Sequence, residues 1–343
     1  MTASHRRATL RDVAAEAGVS VSQASFALNG TGRVAPMTAA RVRAAADTLG
    51  YAADARARAL RTGQSDVYGV VIRNMRNPLF LDILRGMEER ADAAGATLLI
   101  VSTNYSPERE QQALRRLTAQ HVSGIAIAPI GGLDQLADGV RRSGWSDPTA
   151  TRPLIAFHCS PPETVEDDAD GFATAGPDEK QAVALALDEL RRHGHRAPVL
   201  VAAPTDLVAD RTREQTFLRL CAQWGLSGEI LRCPLDARSI EQLTHRLCEE
   251  REHPALIVNS DYLAAGVYAA AAARDARVGT DLSVIGHDDL ATSALLAPGL
   301  TTIRFDRSGL GRDLMDRLLV PGDAIRHTRM PVTLVPRASV AFR

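Results

Sequence analysis

The chain has 343 residues, of which 45% are hydrophobic, so it is long enough for two or three domains with large apolar cores. Its first 65 residues contain nine arginines and four acidic residues, although the whole chain has a net charge of −1. Such a basic segment on an acidic body suits a segment that meets phosphates and a body that does not. The spacings of the four cysteines match no metal motif, and the sequence lacks a signal peptide and a run of ~18 apolar residues. We therefore expect a cytoplasmic protein with no membrane partner and no metal site.

Residues 9–29 predict two short helices joined by a tight turn. Thr9 begins a capping box, and apolar residues follow it at helical period. Gly18 stands where a residue with positive φ would end the first helix, and Ser20 and Gln23 have the spacing of a second capping box. A helix pair of this kind fits the major groove of DNA, although a helical hairpin that only packs has the same pattern.

The second of these helices has two faces of different character. Ala24, Ala27 and Leu28 share one face, and these mostly small side chains allow close packing. The opposite face is short and weakly charged, and it carries Val21, Ser22, Gln23, Ser25 and Phe26. This outward face is free to enter a major groove, so DNA is the predicted partner.

A third helix is predicted at 36–49, with Pro36 in its first turn and Gly50 after its end. Three helices would complete a head over residues 1–50. The following segment, residues 51–65, is rich in alanine and arginine. It predicts a connecting helix and linker, or a segment that becomes ordered on contact with DNA.

From Val67 onward, short β-branched runs alternate with amphipathic helices in two successive blocks. This alternation predicts an α/β core over residues 66–343, made of two doubly wound subdomains with parallel sheets and a ligand cleft at the carboxyl ends of the strands. The glycine-rich phosphate-binding motifs are absent, so no nucleotide cofactor is predicted. The expected subdomain boundaries are 66–160 with 290–325 for the first, and 161–289 with 326–343 for the second.

The chain resembles the LacI/GalR family of bacterial transcription regulators over nearly its whole length. The motifs that carry this resemblance are DVAAEAGVS at 12–20, ALNG at 27–30, LGY at 49–51, ARALRTG at 57–63, NPLF at 77–80, PERE at 107–110, GHR at 194–196, SVIGHDD at 283–289, LTTIR at 300–304 and VPRAS at 335–339. The resemblance implies a helix-turn-helix head, a hinge helix and a core with the periplasmic-binding-protein fold.

The resemblance also implies a homodimer on a palindromic double-stranded operator. Val21, Ser22 and Phe26 match the positions that read bases in this family. Residues that match contacts to the DNA backbone or hold helix ends are Thr9, Ser20, Gln23, Ser25 and Asn29. In the hinge, Ala57 and Leu60 match the minor-groove contacts, with Leu60 as a wedge that kinks the duplex. Alternatively, Leu60 is an ordinary apolar residue of a linker helix.

Phe26 departs from the family pattern, which usually has arginine at this position. A phenylalanine cannot bind a guanine edge with two hydrogen bonds, and it can contact only a thymine methyl group or a sugar. The resemblance therefore implies different operator bases at this position. Alternatively, Phe26 folds back onto its own domain.

In the core, the resemblance implies a small polar effector, commonly a sugar. Arg213 and Asp288 match effector-contacting positions, and Phe80 matches a residue that packs on the ligand. His158 stands where aspartate is frequent, and Ser260 stands where asparagine is usual. The alternatives are a structural ion pair for Arg213 and Asp288 and a core aromatic for Phe80.

These patterns together predict a DNA-binding transcription regulator, most simply a repressor, whose operator affinity is controlled by the effector. The sequence contains no recognisable set of catalytic residues, so an enzyme is not predicted. The rival hypothesis is a cytoplasmic sugar-binding or sugar-processing protein with an incidental basic head.

Overall fold

The computed structural model describes residues 8–29, 32–51, 65–145, 152–160, 173–204, 211–320 and 327–343. The chain divides into two compact units, Met1–Asp66 and Val67–Arg343, which we describe separately. No helix of the described ranges is long and apolar enough to cross a lipid bilayer.

The first unit contains three helices, α1 (Leu10–Glu16), α2 (Val21–Asn29) and α3 (Pro36–Thr48). They enclose a small core of buried valines and alanines. Side chains of this size let short helices pack closely, so a unit of this length can exclude water from its centre. The predicted three-helix head is therefore confirmed within the described residues.

Hydrogen bonds at the helix ends confirm both predicted capping boxes. The Thr9 hydroxyl accepts from the Asp12 amide at 3.3 Å, and an Asp12 carboxylate oxygen accepts from the Thr9 amide at 2.7 Å. At the second helix, the Ser20 hydroxyl accepts from the Gln23 amide at 3.1 Å, and the Gln23 side-chain oxygen accepts from the Ser20 amide at 3.2 Å. Gly18 has φ of +62°, as a helix-ending residue requires.

The second unit is an α/β core. Its strands are β1 (Val67–Ile72), β2 (Thr97–Ser102), β3 (Ile125–Ile127), β4 (Leu154–Phe157), β5 (Ala173–Pro177), β6 (Pro198–Ala202), β7 (Glu229–Arg232), β8 (Ala255–Ile257), β9 (Ser283–Ile285), β10 (Thr302–Arg304), β11 (His327–Met330) and β12 (Thr333–Val335). Its helices are α4 (Leu79–Ala93), α5 (Pro107–Ala119), α6 (Leu133–Ser143), α7 (Glu179–Arg192), α8 (Thr212–Trp224), α9 (Ala237–Glu250), α10 (Asp261–Ala273) and α11 (Arg307–Leu319), with a 3₁₀ turn at Ala291–Ala294.

Two parallel sheets organise the core, as the alternating pattern predicted. The first has six strands in the order β11-β5-β4-β3-β1-β2, and the second has four in the order β7-β6-β8-β9. In the second sheet, Val199 and Val201 pack in the cluster that includes α9 and α10, whereas Leu200 packs in the cluster that includes α7 and α8. Side chains alternate between the two faces of a strand, so helices cover both faces of this sheet.

The predicted subdomain boundaries are wrong in three places. Strands β5 and β11 pair with each other and extend the first sheet beyond β4, although the predicted boundaries place them in the second subdomain. Residues 290–304, which the predicted boundaries place in the first subdomain, instead lie beside the second sheet, because Thr301 forms a bridge with Ile285 and β10 pairs with β12. Periodicity identifies a strand but not the sheet edge that it joins, because strand pairing depends on residues far apart in the chain.

The chain thus passes between the two subdomains next to Pro177, Phe305 and Met330. Near the second of these passages, α4 and α11 cross with their backbones in contact. A β-carbon at Gly86 would lie 2.1 Å from the Ser308 carbonyl oxygen, and one at Gly311 would lie 2.0 Å from the Ile83 carbonyl oxygen. Only glycine fits these two positions. The close crossing of α4 and α11 therefore fixes the passage at Phe305 to the first subdomain.

Candidate functional site

The outward face of α2 is exposed to solvent as predicted. Ala24 and Ala27 are buried, whereas Ser22 is exposed and Val21 and Phe26 are 43% and 47% exposed. Phe26 nonetheless meets its own domain on one side, because a β-carbon at Gly32 would lie 3.2 Å from its ring. Phe26 therefore folds back in part, as the alternative predicts, and about half of the residue is exposed, so its contact with DNA stays a prediction.

The other predicted DNA-contacting residues divide into three groups. The side chains of Thr9, Ser20 and Gln23 bind the first turns of α1 and α2, which is the helix-end role that we expected. Ser25 is half-buried on α2. The Asn29 side chain and the whole of Ala57 and Leu60 lie outside the described residues, so the hinge contacts stay predictions.

A polar cleft lies where strands of the two sheets of the core end. Its volume, including the solvent at its mouth, is about 790 Å³. Its walls are formed by residues at or just beyond the carboxyl ends of β1, β4, β6 and β8, together with residues of the adjoining helices. The polar side chains of the wall are Arg73, Asn77, Tyr105, His158, Glu179, Arg213, Glu214, Asn259 and Ser260. The doubly wound pattern predicted a cleft at this edge of the sheets.

Arg213 lines this cleft as predicted, but its carboxylate partner is not Asp288. The guanidinium donates from Nε and Nη2 to the two carboxylate oxygens of Glu179 at 2.5 and 2.8 Å. Nη1 donates to the Asn259 carbonyl oxygen at 3.0 Å. Glu179 is only 7% exposed, so the pair is a largely buried, bidentate ion pair.

Sequence reasoning missed Glu179. A signal was available, because Glu179 begins a predicted helix directly after a predicted strand. In a doubly wound subdomain this position faces the edge at which ligands bind.

Asp288 lies outside the wall of the cleft and is 1% exposed. Its Oδ1 lies 2.9 Å from Nδ1 of His287, and its Oδ2 has no hydrogen-bond partner among the described residues. Burial raises the pKa of this carboxyl to about 7, against the opposing effect of the Arg213 and Arg307 charges. Asp288, which we predict to contact the effector, therefore does not line the cleft, and the alternative of an Arg213–Asp288 ion pair is replaced by two separate contacts, Arg213 with Glu179 and Asp288 with His287.

Phe80 belongs to the core of the first subdomain, so its predicted contact with a ligand is corrected. The residue is 1% exposed and is not part of the cleft wall. Its ring lies edge-on to Phe157, with centroids 6.4 Å apart, and its centroid is 6.0 Å from that of His158. Phe80 can thus support His158 from behind.

His158 and Ser260 both lie in the cleft wall, as predicted. The Ser260 hydroxyl accepts from the Leu263 amide at 3.4 Å and so caps α10. Burial, followed by the Arg73 and Arg213 charges, lowers the pKa of His158 well below its usual range. Sequence reasoning missed Arg73, which holds the His158 ring and backbone from the end of β1.

Two families of protein match this chain, one for each unit. Residues 9–54 match the model of the bacterial regulatory proteins of the lacI family, and residues 187–340 match that of a periplasmic binding protein-like domain. The chain belongs to the LacI family.

Relatives of this family match the chain over most of its length. The HTH-type transcriptional repressor PurR of Photobacterium profundum is 27% identical over 97% of this chain and 98% of its own. The maltose regulon regulatory protein MalI of Escherichia coli (strain K12) is 29% identical over 78% of this chain and 75% of its own.

Solved structures of the LacI family show the same architecture. A lac repressor dimer, bound to operator and the anti-inducer ONPF, has a TM-score of 0.83 at 28% identity and covers 98% of this chain and 100% of its own. A LacI family regulator from Enterococcus faecium with bound ribose has a TM-score of 0.66 at 22% identity, over 80% of this chain and 98% of its own. This second match supports the fold of the core alone.

Replacing Asp288 by asparagine in this LacI-family core is expected to stabilise it more at about pH 8 than at about pH 5. The folded protein retains a proton that the unfolded chain releases between the two pKa values, 3.8 and about 7, so the contribution of Asp288 to stability falls as the pH rises through this window. Asparagine resembles the protonated carboxyl, so we expect the gain to be about 1 to 3 kcal/mol larger at pH 8 than at pH 5. Urea denaturation at the two pH values measures it, and a gain that is equal at both would contradict the assignment.

Proposed function

We propose that this protein is a sequence-specific DNA-binding repressor whose operator affinity depends on a small polar effector bound in the cleft. One observation carries the proposal. Helix α2 buries Ala24 and Ala27 in the head while Val21, Ser22 and Phe26 face outward, on the same chain as a polar cleft between strand ends. A reading surface and a ligand cleft on one chain are the parts that a ligand-controlled regulator requires.

The outward face of α2 would read the operator without a charged side chain. Ser22 can bond to several bases, and the exposed half of Phe26 suits a thymine methyl group. Phosphate contacts would set affinity and register. Exposed arginines on the head that can supply them are Arg11, Arg33, Arg41 and Arg43.

A homodimer would bind a palindrome, with one head for each half-site. The lac repressor to which this chain is similar is described as a dimer bound to operator. Two-fold symmetry of the protein requires two-fold symmetry of the site, since each half-site meets an identical head.

Effector and operator would be coupled through closure of the two subdomains. Arg307 spans them, donating from Nε and Nη2 to the Asp82 carboxylate at 2.9 and 2.8 Å and from Nη2 to the Asp289 carbonyl at 3.2 Å. A ligand that draws the cleft together shifts this contact between the subdomains. By linkage, operator DNA must change effector affinity by the same factor as effector changes operator affinity.

We further propose a regulatory role without enzymatic activity, in the bacterial cytoplasm where the operator DNA is. The relatives named above are transcriptional regulators, which supports this assignment.

Selection of bound sequences from random double-stranded DNA tests the proposal. We expect a palindromic consensus whose affinity falls steeply with salt, because phosphate contacts release counterions. Phe26→Ala should weaken consensus binding about tenfold and relax one base position in each half-site.

The control is Asp47→Ala, on the exposed surface of α3, which should leave base preference unchanged. The proposal fails if no palindrome is enriched or if affinity is independent of salt.

A further inference from the structure

Arg73 is a buried cation for which the described residues provide no carboxylate partner. It is 8% exposed and lies in the cleft wall at the end of β1. Its Nε donates to the Pro129 carbonyl at 2.8 Å, and its Nη2 donates to the His158 carbonyl at 3.0 Å. Within the described part of the chain, no acidic side chain forms an ion pair with it. A buried charge without a counterion is unfavourable, so this position favours binding of an anion.

The nearby acid Glu110 does not compensate this charge. Its Oε2 accepts from the Ile130 amide at 2.9 Å. Burial is the largest influence on this carboxyl and raises its pKa, although the Arg73 charge acts in the opposite direction. The Glu110 carboxylate therefore binds a backbone amide of the loop after β3.

The guanidinium of Arg73 determines which nitrogen of His158 carries the proton. Arg73 Nη1 lies 3.1 Å from His158 Nδ1. A guanidinium can only donate hydrogen bonds, so Nδ1 must accept and the ring proton must be on Nε2. Nε2 is buried and has no hydrogen-bond partner among the described residues. His158 thus holds an unused N–H donor in the wall of the cleft.

The two walls of the cleft differ in charge. Arg213 is neutralised by its bidentate contact with Glu179, whereas the acceptors that Arg73 contacts in the described ranges are all neutral. Three of the five N–H groups of Arg73 are occupied, so two remain, together with the Nε2–H of His158. A positive charge with several free donors in a partly desolvated site matches the oxygens of an anion.

We propose that Arg73 and His158 form an anion subsite, and that the effector is therefore a sugar acid or a sugar phosphate rather than a neutral sugar. The shared chemistry is an anionic oxygen group, carboxylate or phosphoryl. The neutral Arg213–Glu179 pair, Asn259 and Ser260 on the opposite wall then face the hydroxyl groups. The role of this ligand as an effector rests on the proposed function, whereas its binding by Arg73 and His158 does not.

Isothermal titration of the full chain without DNA tests the subsite. The probes are matched sets: glucose, glucuronate and glucose 6-phosphate; and ribose, ribonate and ribose 5-phosphate. We expect the anionic members of at least one set to bind about tenfold or more tightly than the neutral sugar of that set. Tighter binding of the carboxylate or of the phosphate identifies which anionic group the subsite takes. Equal or tighter binding of the neutral sugars, or no binding of any anionic probe, overturns the proposal.

Substitutions at the subsite show whether Arg73 and His158 are responsible. Arg73→Gln should weaken binding of the anionic probe about 10- to 100-fold, the effect of losing hydrogen bonds to a charged group. His158→Asp should have a similar effect, because it places a carboxylate next to Arg73. The matched control is Arg85→Gln on the exposed surface of α4, which should bind the anion as the wild type does. Thermal unfolding confirms that each variant is folded, and equal anion affinity in Arg73→Gln and Arg85→Gln contradicts the proposal.

Failure of this inference is distinguishable from failure of the proposed function. If the protein selects a palindromic operator but binds only neutral ligands, the proposed repressor function stands and the anion subsite is rejected. If the protein binds the anionic probes selectively but selects no DNA sequence, the anion subsite stands and the proposed repressor function is rejected.

Discussion

Replacing Glu179 by alanine is expected to lower the free energy of unfolding of the core by about 2 to 4 kcal/mol, because it leaves Arg213 without its counterion. Loss of one partner of a buried pair costs more than the pair contributes, since the remaining charge stays away from water. The side chains of Arg213 and Glu179 are 19% and 7% exposed, so water relieves only part of that cost. Urea denaturation followed by tryptophan fluorescence measures the effect, because both tryptophans, Trp145 and Trp224, lie in the core.

Asp138→Ala is the matched control for this prediction. It removes the carboxylate of an ion pair with Arg141 in which the two side chains are about 60% exposed. An exposed pair contributes about 0 to 1 kcal/mol, so this variant should unfold almost as the wild type does. Equal losses in the two variants would show that the Arg213–Glu179 pair is not the buried contact that the structure describes.

Replacing Asp261 by alanine is expected to destabilise the core by about 3 to 5 kcal/mol. Its Oδ2 accepts from the Leu290 amide at 2.9 Å and the Ser293 hydroxyl at 2.5 Å, and its Oδ1 accepts from the Thr302 hydroxyl at 2.5 Å. Asp261 is 4% exposed, so alanine would leave these donors without a partner and out of reach of bulk water. Each buried donor left unpaired costs about 1 to 3 kcal/mol, with partial relief if a water enters.

Asp134→Ala provides the comparison for Asp261. Asp134 also lies in the first turn of a helix, α6, but it is exposed. The Asp134→Ala variant should have a free energy of unfolding about 0.5 kcal/mol lower than the wild type, which is the contribution of a surface charge near a helix N-terminus. If Asp261→Ala and Asp134→Ala unfold at the same urea concentration, the contacts of Asp261 contribute nothing to stability.

The head could be predicted almost completely from its sequence. Thr9 and Ser20 act on groups three residues away, and the buried Ala24 and Ala27 follow from the period of one helix. Interactions of this range are encoded in adjacent residues, so a pattern in the sequence identifies them directly. The half-buried position of Phe26 could not be predicted in this way, because its contact with Gly32 joins residues that are farther apart in the chain.

The cleft could be predicted only in part. The position of Arg213, His158 and Ser260 in the wall followed from the resemblance to the LacI/GalR family. Their partners did not follow, since Glu179 is 34 residues from Arg213 and Arg73 is 85 residues from His158. Phe80 was misplaced because an aromatic residue beside a cleft and one behind it have the same local pattern.

The sequence by itself determined the kind of protein: a helix-turn-helix head, an alternating α/β core and a cleft at the ends of its strands. These properties depend on helix caps, periodicity and motif order, which are local in the chain. Only the tertiary structure decided which sheet β5, β10 and β11 join, which acid neutralises Arg213, and that Arg73 forms no ion pair with an acidic side chain among the described residues. Those outcomes depend on edges and buried charges brought together from distant segments, where desolvation determines which partners can pair.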